Sequence, residues 1–179
     1  MLTLGIDTSN YATSLAVFDT DAGEVVCDCK KFLPVKEGQL GLRQSDALFH
    51  HTAALPAMLA ELGSKADLTK VEAVGVSAKP RPVEGSYMPC FLAGESQARN
   101  LATVLDVPFY AFSHQQGHIA ASLWSAGRLD LMQVPHLAWH LSGGTTELLL
   151  VVPDGKNVKA EKLGGTSDIS AGQLIDRTG

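Results

Sequence analysis

The chain has 179 residues, which suits one domain or slightly more. Hydrophobic residues make up 45% and charged residues 18%, too apolar for disorder, and a net charge of −5 gives no basic footprint for direct nucleic-acid binding. No apolar run approaches the roughly 18 residues that span a bilayer, and Met1 to Asp7 lacks the basic segment and long apolar core of a signal peptide, so no membrane partner is expected.

In chain order, Leu2–Ile6 predicts a first strand and residues 7–11 a polar turn. Thr13–Phe18 and Glu24–Leu33 predict two more strands, completing an antiparallel meander. Cys27, Cys29 and Cys90 match neither a disulfide framework nor a zinc-ribbon spacing and are expected to be reduced thiols in a cytoplasmic protein. From Ser45, apolar residues recur at helical spacing through Leu62, with Ser45 or Asp46 as the expected cap and a kink or a new helix at Pro56. Val71–Ser77 reads as a buried strand, 79–89 as a proline-rich loop and Cys90–Leu105 as a helix with a small-residue face. Pro108–Phe112 reads as a strand and Gln116–Ala126 as a helix.

The opening pattern then returns as strands over His136–Leu141, Glu147–Val152 and Val158–Leu163. Gly5 to Leu15 and Trp139 to Leu149 both read strand, small polar turn, strand. The pattern predicts an internal duplication of a β-β-β-α-β-α-β-α unit, although two unrelated hairpins would read the same way. The expected domains are 1–130 and 131–179, the first complete and the second truncated, because the chain stops at Gly179 inside a helix beginning near Asp168–Ser170. A fragment of a longer protein is therefore expected, with exposed apolar surface near Leu148, Leu150, Leu174 and Ile175 and self-association to bury it.

Three groups of residues could carry chemistry. In a duplicated fold the tips of the two first hairpins face one cleft, and turn backbone N–H groups there make an anion-binding concavity. Asp7, Thr8 and Ser9 are one candidate phosphate loop; Ser142-Gly143-Gly144-Thr145-Thr146 is the other, though Gly-Gly is also an ordinary hairpin turn. His114 and His118, four apart, lie on one helical face and could share a metal ion, or could be two half-buried histidines at a helix start. His50, His51, His136 and His140 are expected to be structural. Asp176, about two turns into the last helix, could accept ribose hydroxyls or be a solvated helix acid.

Together these motifs resemble the TsaD family, the threonylcarbamoyl transferases formerly called O-sialoglycoprotein endopeptidases or glycoproteases. The resemblance is carried, in order, by Leu4-Gly5-Ile6-Asp7-Thr8-Ser9, Arg43-Gln44-Ser45 with His50-His51, His114 with His118, Leu141-Ser142-Gly143-Gly144-Thr145, Leu163-Gly164-Gly165 with Asp168, and Ala171-Gly172 with Asp176. It covers nearly all of the chain but about half of a typical member. It implies an α/β fold of the actin-like ATPase (ribonuclease H-like) type and transfer of a threonylcarbamoyl group from an adenylate to a tRNA adenosine. His114 and His118 match metal ligands for iron or zinc. Leu141 to Thr145 match the loop holding the phosphate region of ATP or an acyl-adenylate, and Asp176 matches a ribose-binding aspartate. Any tRNA contact is expected through partner subunits, and this fragment alone is expected to be inactive.

Departures from the family suggest a divergent paralogue. The usual Gly-Pro-Gly loop is replaced by residues 79–87, the histidine after Ser-Gly-Gly by Thr145, the glutamate between the metal histidines by Gln116, and the acidic residue after Ala-Gly by Gln173. The family's third metal ligand, a downstream aspartate, is expected beyond Gly179. A metallopeptidase is the alternative that the older name asserts, weakened because His114-Gln115-Gln116-Gly117-His118 lacks the general-base glutamate of H-E-x-x-H. A non-catalytic scaffold paralogue and, more weakly, a sugar or acyl kinase complete the alternatives.

Overall fold

The computed structural model describes residues 1–9, 11–35, 42–155 and 157–178. By contacts the chain forms two compact units, Met1–His114 and Gln115–Gly179. This boundary lies upstream of the 130/131 division read from the sequence, because Ile119 and Leu123 pack with Leu149, Val151 and Val158 of the second sheet.

In the first unit, β1 (Leu2–Asp7), β2 (Ala12–Asp19) and β3 (Glu24–Phe32) form the expected antiparallel meander. Asn10, in the turn after β1, lies outside the described residues. β4 (Val71–Lys79) adds in parallel to the other edge of β1, and β5 (Phe109–Ser113) in parallel to β4, giving the order β3-β2-β1-β4-β5. Alternation decides which face is buried. Leu4, Ile6, Leu15, Val17, Val74 and Val76 point into one core with Leu55, Met58 and Leu62 of α1 (Gln44–Lys65) and Ala98 and Ala102 of α2 (Phe91–Leu105).

Two local expectations are corrected. The α1 N-cap is Arg43 rather than Ser45 or Asp46, and it makes no side-chain cap bond; Asp46 instead lies in the first turn, where its charge suits the helix dipole. Pro56 neither ends the helix nor starts another: α1 is assigned continuously to Lys65. Pro56 is exposed, so the carbonyl that loses its partner faces water, while Ala54, Leu55, Met58 and Leu62 are buried on both sides of it.

The second unit contains α3, β6 (His136–Leu141), β7 (Thr146–Asp154), β8 (Asn157–Gly165) and α4 (Ala171–Thr178). Helix α3 spans His114–Ser125, beginning two residues before the expected Gln116. The three strands form a second antiparallel sheet in the order β6-β7-β8. Both sheets therefore begin strand-turn-strand-turn-strand, the pattern expected of a duplication. The first hairpin closes with Asp7 opposite Ser14 and the second with Leu141 opposite Thr146. The Gly-Gly turn is thus tighter than a residue-for-residue correspondence implies. Leu174 and Ile175 are exposed, as are Leu137, Trp139 and Leu141 of β6, whereas Leu148 and Leu150 are half-buried. Among the described residues no helix is long and apolar enough to cross a membrane.

Candidate functional site

The parallel strands β1, β4 and β5 end on one side of the first sheet, and Asp7, Ser77 and His114 come from those ends. The imidazole Nδ1 of His114 lies 2.8 Å from Asp7 Oδ2, although the residues are 107 apart in sequence. The other carboxylate oxygen of Asp7 accepts from the Ser9 backbone N–H at 2.8 Å. Phe91 meets the His114 ring edge-on, with centroids 6.2 Å apart. Burial works to raise the Asp7 pKa, but the hydrogen bond and charge of His114, with hydrogen bonds from Ser77 and Ser9, outweigh it and hold the carboxyl well below the usual carboxylate range.

Thr8 is fully buried. Its hydroxyl donates to Cys90 O at 3.0 Å and accepts from Gly94 N at 3.1 Å, joining β1 to the first turn of α2. A β-carbon at Gly94 would lie 2.8 Å from that hydroxyl oxygen, so glycine lets the two elements meet. His51 is also buried, with Nδ1 2.8 Å from the Thr13 hydroxyl.

In the second unit the turn after β6 is docked against the start of α4. Ser142 N donates to Thr145 O at 2.8 Å, closing the turn, and Gly144 N donates to Ser142 Oγ at 3.3 Å. Ser170 Oγ donates to Gly143 O at 2.6 Å, Ala171 N to Thr146 Oγ1 at 2.7 Å, and Gly172 N to Ser142 O at 3.3 Å. Ser170 and Gln173 form a reciprocal capping box: Gln173 N donates to Ser170 Oγ and Ser170 N donates to Gln173 Oε1, both at 3.2 Å. Either glutamate or glutamine serves this motif, so Gln173 in place of the usual acid preserves the helix start. Asp176 is exposed and lies one turn beyond Gly172 on the same helical face.

A cavity of about 250 Å³ lies between α3 and β6, lined by apolar Ile119, Leu123, Leu131 and Leu149 and by polar Gln115, His118, His136, His140 and Ser142. The His118 and His140 rings are 6.3 Å apart. The amide of Gln116 donates to Val158 O at 2.7 Å, tying α3 to β8. A carboxylate in that place could not donate this bond.

Helix α3 carries both His114 and His118. Among the described residues no three histidine, cysteine, aspartate or glutamate side chains come together closely enough to hold a metal ion. The two histidines supply nitrogen donors of a kind that iron and zinc accept, and the Asp7–His114 bond has the form found behind metal-ligating histidines. The donor set is suited to such an ion, but a further ligand is needed.

The TsaD family profile, described as tRNA N6-adenosine threonylcarbamoyltransferase, matches residues 18–179. A curated relative of that name from Thermus thermophilus is 33% identical over 177 residues, covering 99% of this chain and 51% of its own length. Another, from Aromatoleum aromaticum, is 29% identical over 180 residues, covering 99% and 49%. The chain thus spans about half the length of these relatives. Among solved structures, YeaZ from Pseudomonas aeruginosa matches with a TM-score of 0.52 at 14% identity, covering 94% of this chain and 67% of its own. An inorganic polyphosphate/ATP-glucomannokinase from an Arthrobacter strain matches at 0.51 and 16% identity, covering 92% and 62%. These structural likenesses bear on the fold alone, and the fold is of the actin-like ATPase class.

Proposed function

We propose, since this chain belongs to the TsaD family of tRNA N6-adenosine threonylcarbamoyltransferases, that it carries the nucleotide-holding and part of the metal-holding apparatus of a threonylcarbamoyl-type transferase. The donor would be the threonylcarbamoyl adenylate and the acceptor a tRNA adenosine or a related group. The observation that supports this most is the docking of the Ser142–Thr145 turn on the start of α4, with Asp176 one turn beyond Gly172. Glycine at 143 and 144 lets a phosphate approach the backbone, and the α4 start adds its dipole. Leu141, Ser142, Gly143, Gly144 and Thr145 would hold the phosphate region of ATP or the adenylate, and Asp176 would accept ribose hydroxyls.

Asp7, Thr8 and Ser9 belong to the same reading with unequal roles. Ser9 is the member suited to a phosphate; Thr8 is committed to α2 and Asp7 to His114. His114 and His118, at i and i+4 in α3, would supply two ligands to iron or zinc. When bound, the ion would act as a Lewis acid and template for the carbamoyl group. With a net charge of −5, binding of tRNA would rely on partner subunits.

The altered loops, residues 79–87 in place of Gly-Pro-Gly and Thr145 in place of the usual histidine, favour a second reading, a scaffold paralogue that keeps the fold without the metal. The test supplies threonylcarbamoyl adenylate and tRNA to the protein with its natural partners, followed by mass analysis of the nucleosides and elemental analysis of the protein. Threonylcarbamoyladenosine in the wild type, lost in Asp176→Ala, supports the transferase. Absence of both product and metal favours the scaffold.

A further inference from the structure

The geometry points to Asp7 as the positioning residue for His114: its carboxylate accepts the Nδ1 hydrogen, fixes the imidazole in the Nδ1–H tautomer and so places the ring's lone pair on Nε2. This deepens the proposed function, because it names which atom of His114 would ligate an ion and what holds it in place.

Three features carry the inference. The contact is short, 2.8 Å from Nδ1 to Oδ2. The carboxylate is itself held, since Oδ1 accepts from Ser9 N at 2.8 Å. The imidazole is confined by Phe91, which meets it at an interplanar angle of 63°. A fixed acceptor on one ring nitrogen determines the tautomer and directs the other nitrogen. Carboxylates in this role also raise the basicity of a ligating histidine, and losing them typically weakens metal binding by roughly 10–100-fold.

The topology explains how residues so far apart come to meet. Asp7 is the last residue of β1, Ser77 lies near the end of β4, and His114 follows the last residue of β5. Because β1, β4 and β5 run parallel, these positions share one edge of the sheet. The same placement separates Asp7 from a phosphate-binding role, for which a carboxylate is the wrong charge.

The test is ¹⁵N-histidine NMR of the full chain, with His114 assigned from a His114→Ala spectrum and the fold of each variant checked by its backbone amide pattern. The wild type is expected to show the Nδ1–H tautomer. Asp7→Ala should shift His114 toward Nε2–H, and Asp7→Asn, which keeps an acceptor oxygen, should retain part of the Nδ1–H form. An Nε2–H tautomer in the wild type, or a tautomer unmoved by Asp7→Ala, would overturn the inference. Titration with Co²⁺ provides a separate readout, expected to weaken by roughly 10–100-fold in Asp7→Ala. If the wild type takes up no Co²⁺ while its tautomer depends on Asp7, the metal reading falls and the positioning role stands.

Discussion

A β-carbon placed on Gly172 would lie 2.6 Å from the α-carbon of Gly143 and 2.8 Å from the carbonyl oxygen of Ser142. The first turn of α4 and the turn after β6 therefore meet backbone to backbone. Any side chain at 172 forces them apart, which links the integrity of the proposed phosphate loop to one glycine.

Gly172→Ala should act against ordinary helix propensity. Alanine favours a helix interior by about 1 kcal/mol over glycine, but overpacking typically costs about 1–3 kcal/mol. We expect a lower thermal midpoint and at least a tenfold weaker affinity for adenosine 5′-phosphate by calorimetry. Gly164→Ala is the control, since a β-carbon there meets nothing within 4 Å, and it should leave both quantities unchanged. Equal behaviour of the two variants would remove the role assigned to Gly172.

The capping box separates two substitutions that look alike on paper. Ser170→Ala removes an acceptor from Gln173 N and a donor to Gly143 O, and N-cap losses typically cost about 1 kcal/mol. Hydrogen exchange over residues 171–174 should quicken by about fivefold. Gln173→Glu keeps the motif and should leave that exchange within a factor of two of wild type. Faster exchange in Gln173→Glu than in Ser170→Ala would contradict the assignment.

Thr8→Val preserves shape and removes the hydroxyl that joins Cys90 O to Gly94 N. Leaving buried polar groups without that partner should cost about 1–3 kcal/mol in urea denaturation. Thr8→Ser, which keeps the hydroxyl, should lose less. A Thr8→Val variant as stable as the wild type, with the loss confined to Thr8→Ser, would mean that the methyl group matters and the hydroxyl does not.

His51 predicts a pH dependence. Burial pushes its pKa below the ordinary value, opposed by the charge of Asp7 and aided by that of His50. The native histidine then stays neutral while the unfolded chain takes up a proton below about pH 6.5. The unfolded state binds more protons in that window, so stability rises with pH and falls on acidification, by at most about 1.4 kcal/mol per pH unit. The urea midpoint should drop between pH 7 and 5.5, and His51→Gln should flatten that slope. Parallel slopes in the two proteins would rule His51 out as the source.

Leu137, Trp139 and Leu141 alternate along β6 and are 60%, 65% and 58% exposed, so they share one face. Self-association of this chain through that apolar face is expected in sedimentation experiments, and Trp139→Ser should shift it toward monomer. A wild type that stays monomeric at all concentrations would contradict this.

Much of the fold was legible because it depends on local periodicity. The strands expected over 13–18 and 147–152 are present as β2 and β7, each longer by one or two residues at its ends. The helical spacing from Ser45 to Leu62 is present as α1, although its buried face runs through Ala47, His51, Leu55, Met58 and Leu62 and leaves Thr52 exposed. The start of α1 is not legible, because Ser45 and Asp46 look like caps, while Arg43 makes no side-chain bond to mark it. In the candidate site, Ser170 and Gln173 show a local S-x-x-Q signature. The Asp7–His114 contact has none, since the two residues are 107 apart in sequence and meet only because the parallel strands β1 and β5 end on one edge. Likewise, nothing near Thr8 shows that its hydroxyl is taken by α2.

The most direct test of the account is a titration of adenosine 5′-phosphate into the ¹⁵N-labelled chain, observing individual backbone amides. Saturable shifts are predicted at Gly143, Gly144 and Gly172, with the half-saturating concentration raised about tenfold in Asp176→Ala, the cost of roughly one hydrogen-bonded contact. Amides at these three positions that stay unmoved at millimolar nucleotide, or an Asp176→Ala variant that binds as the wild type does, would contradict it.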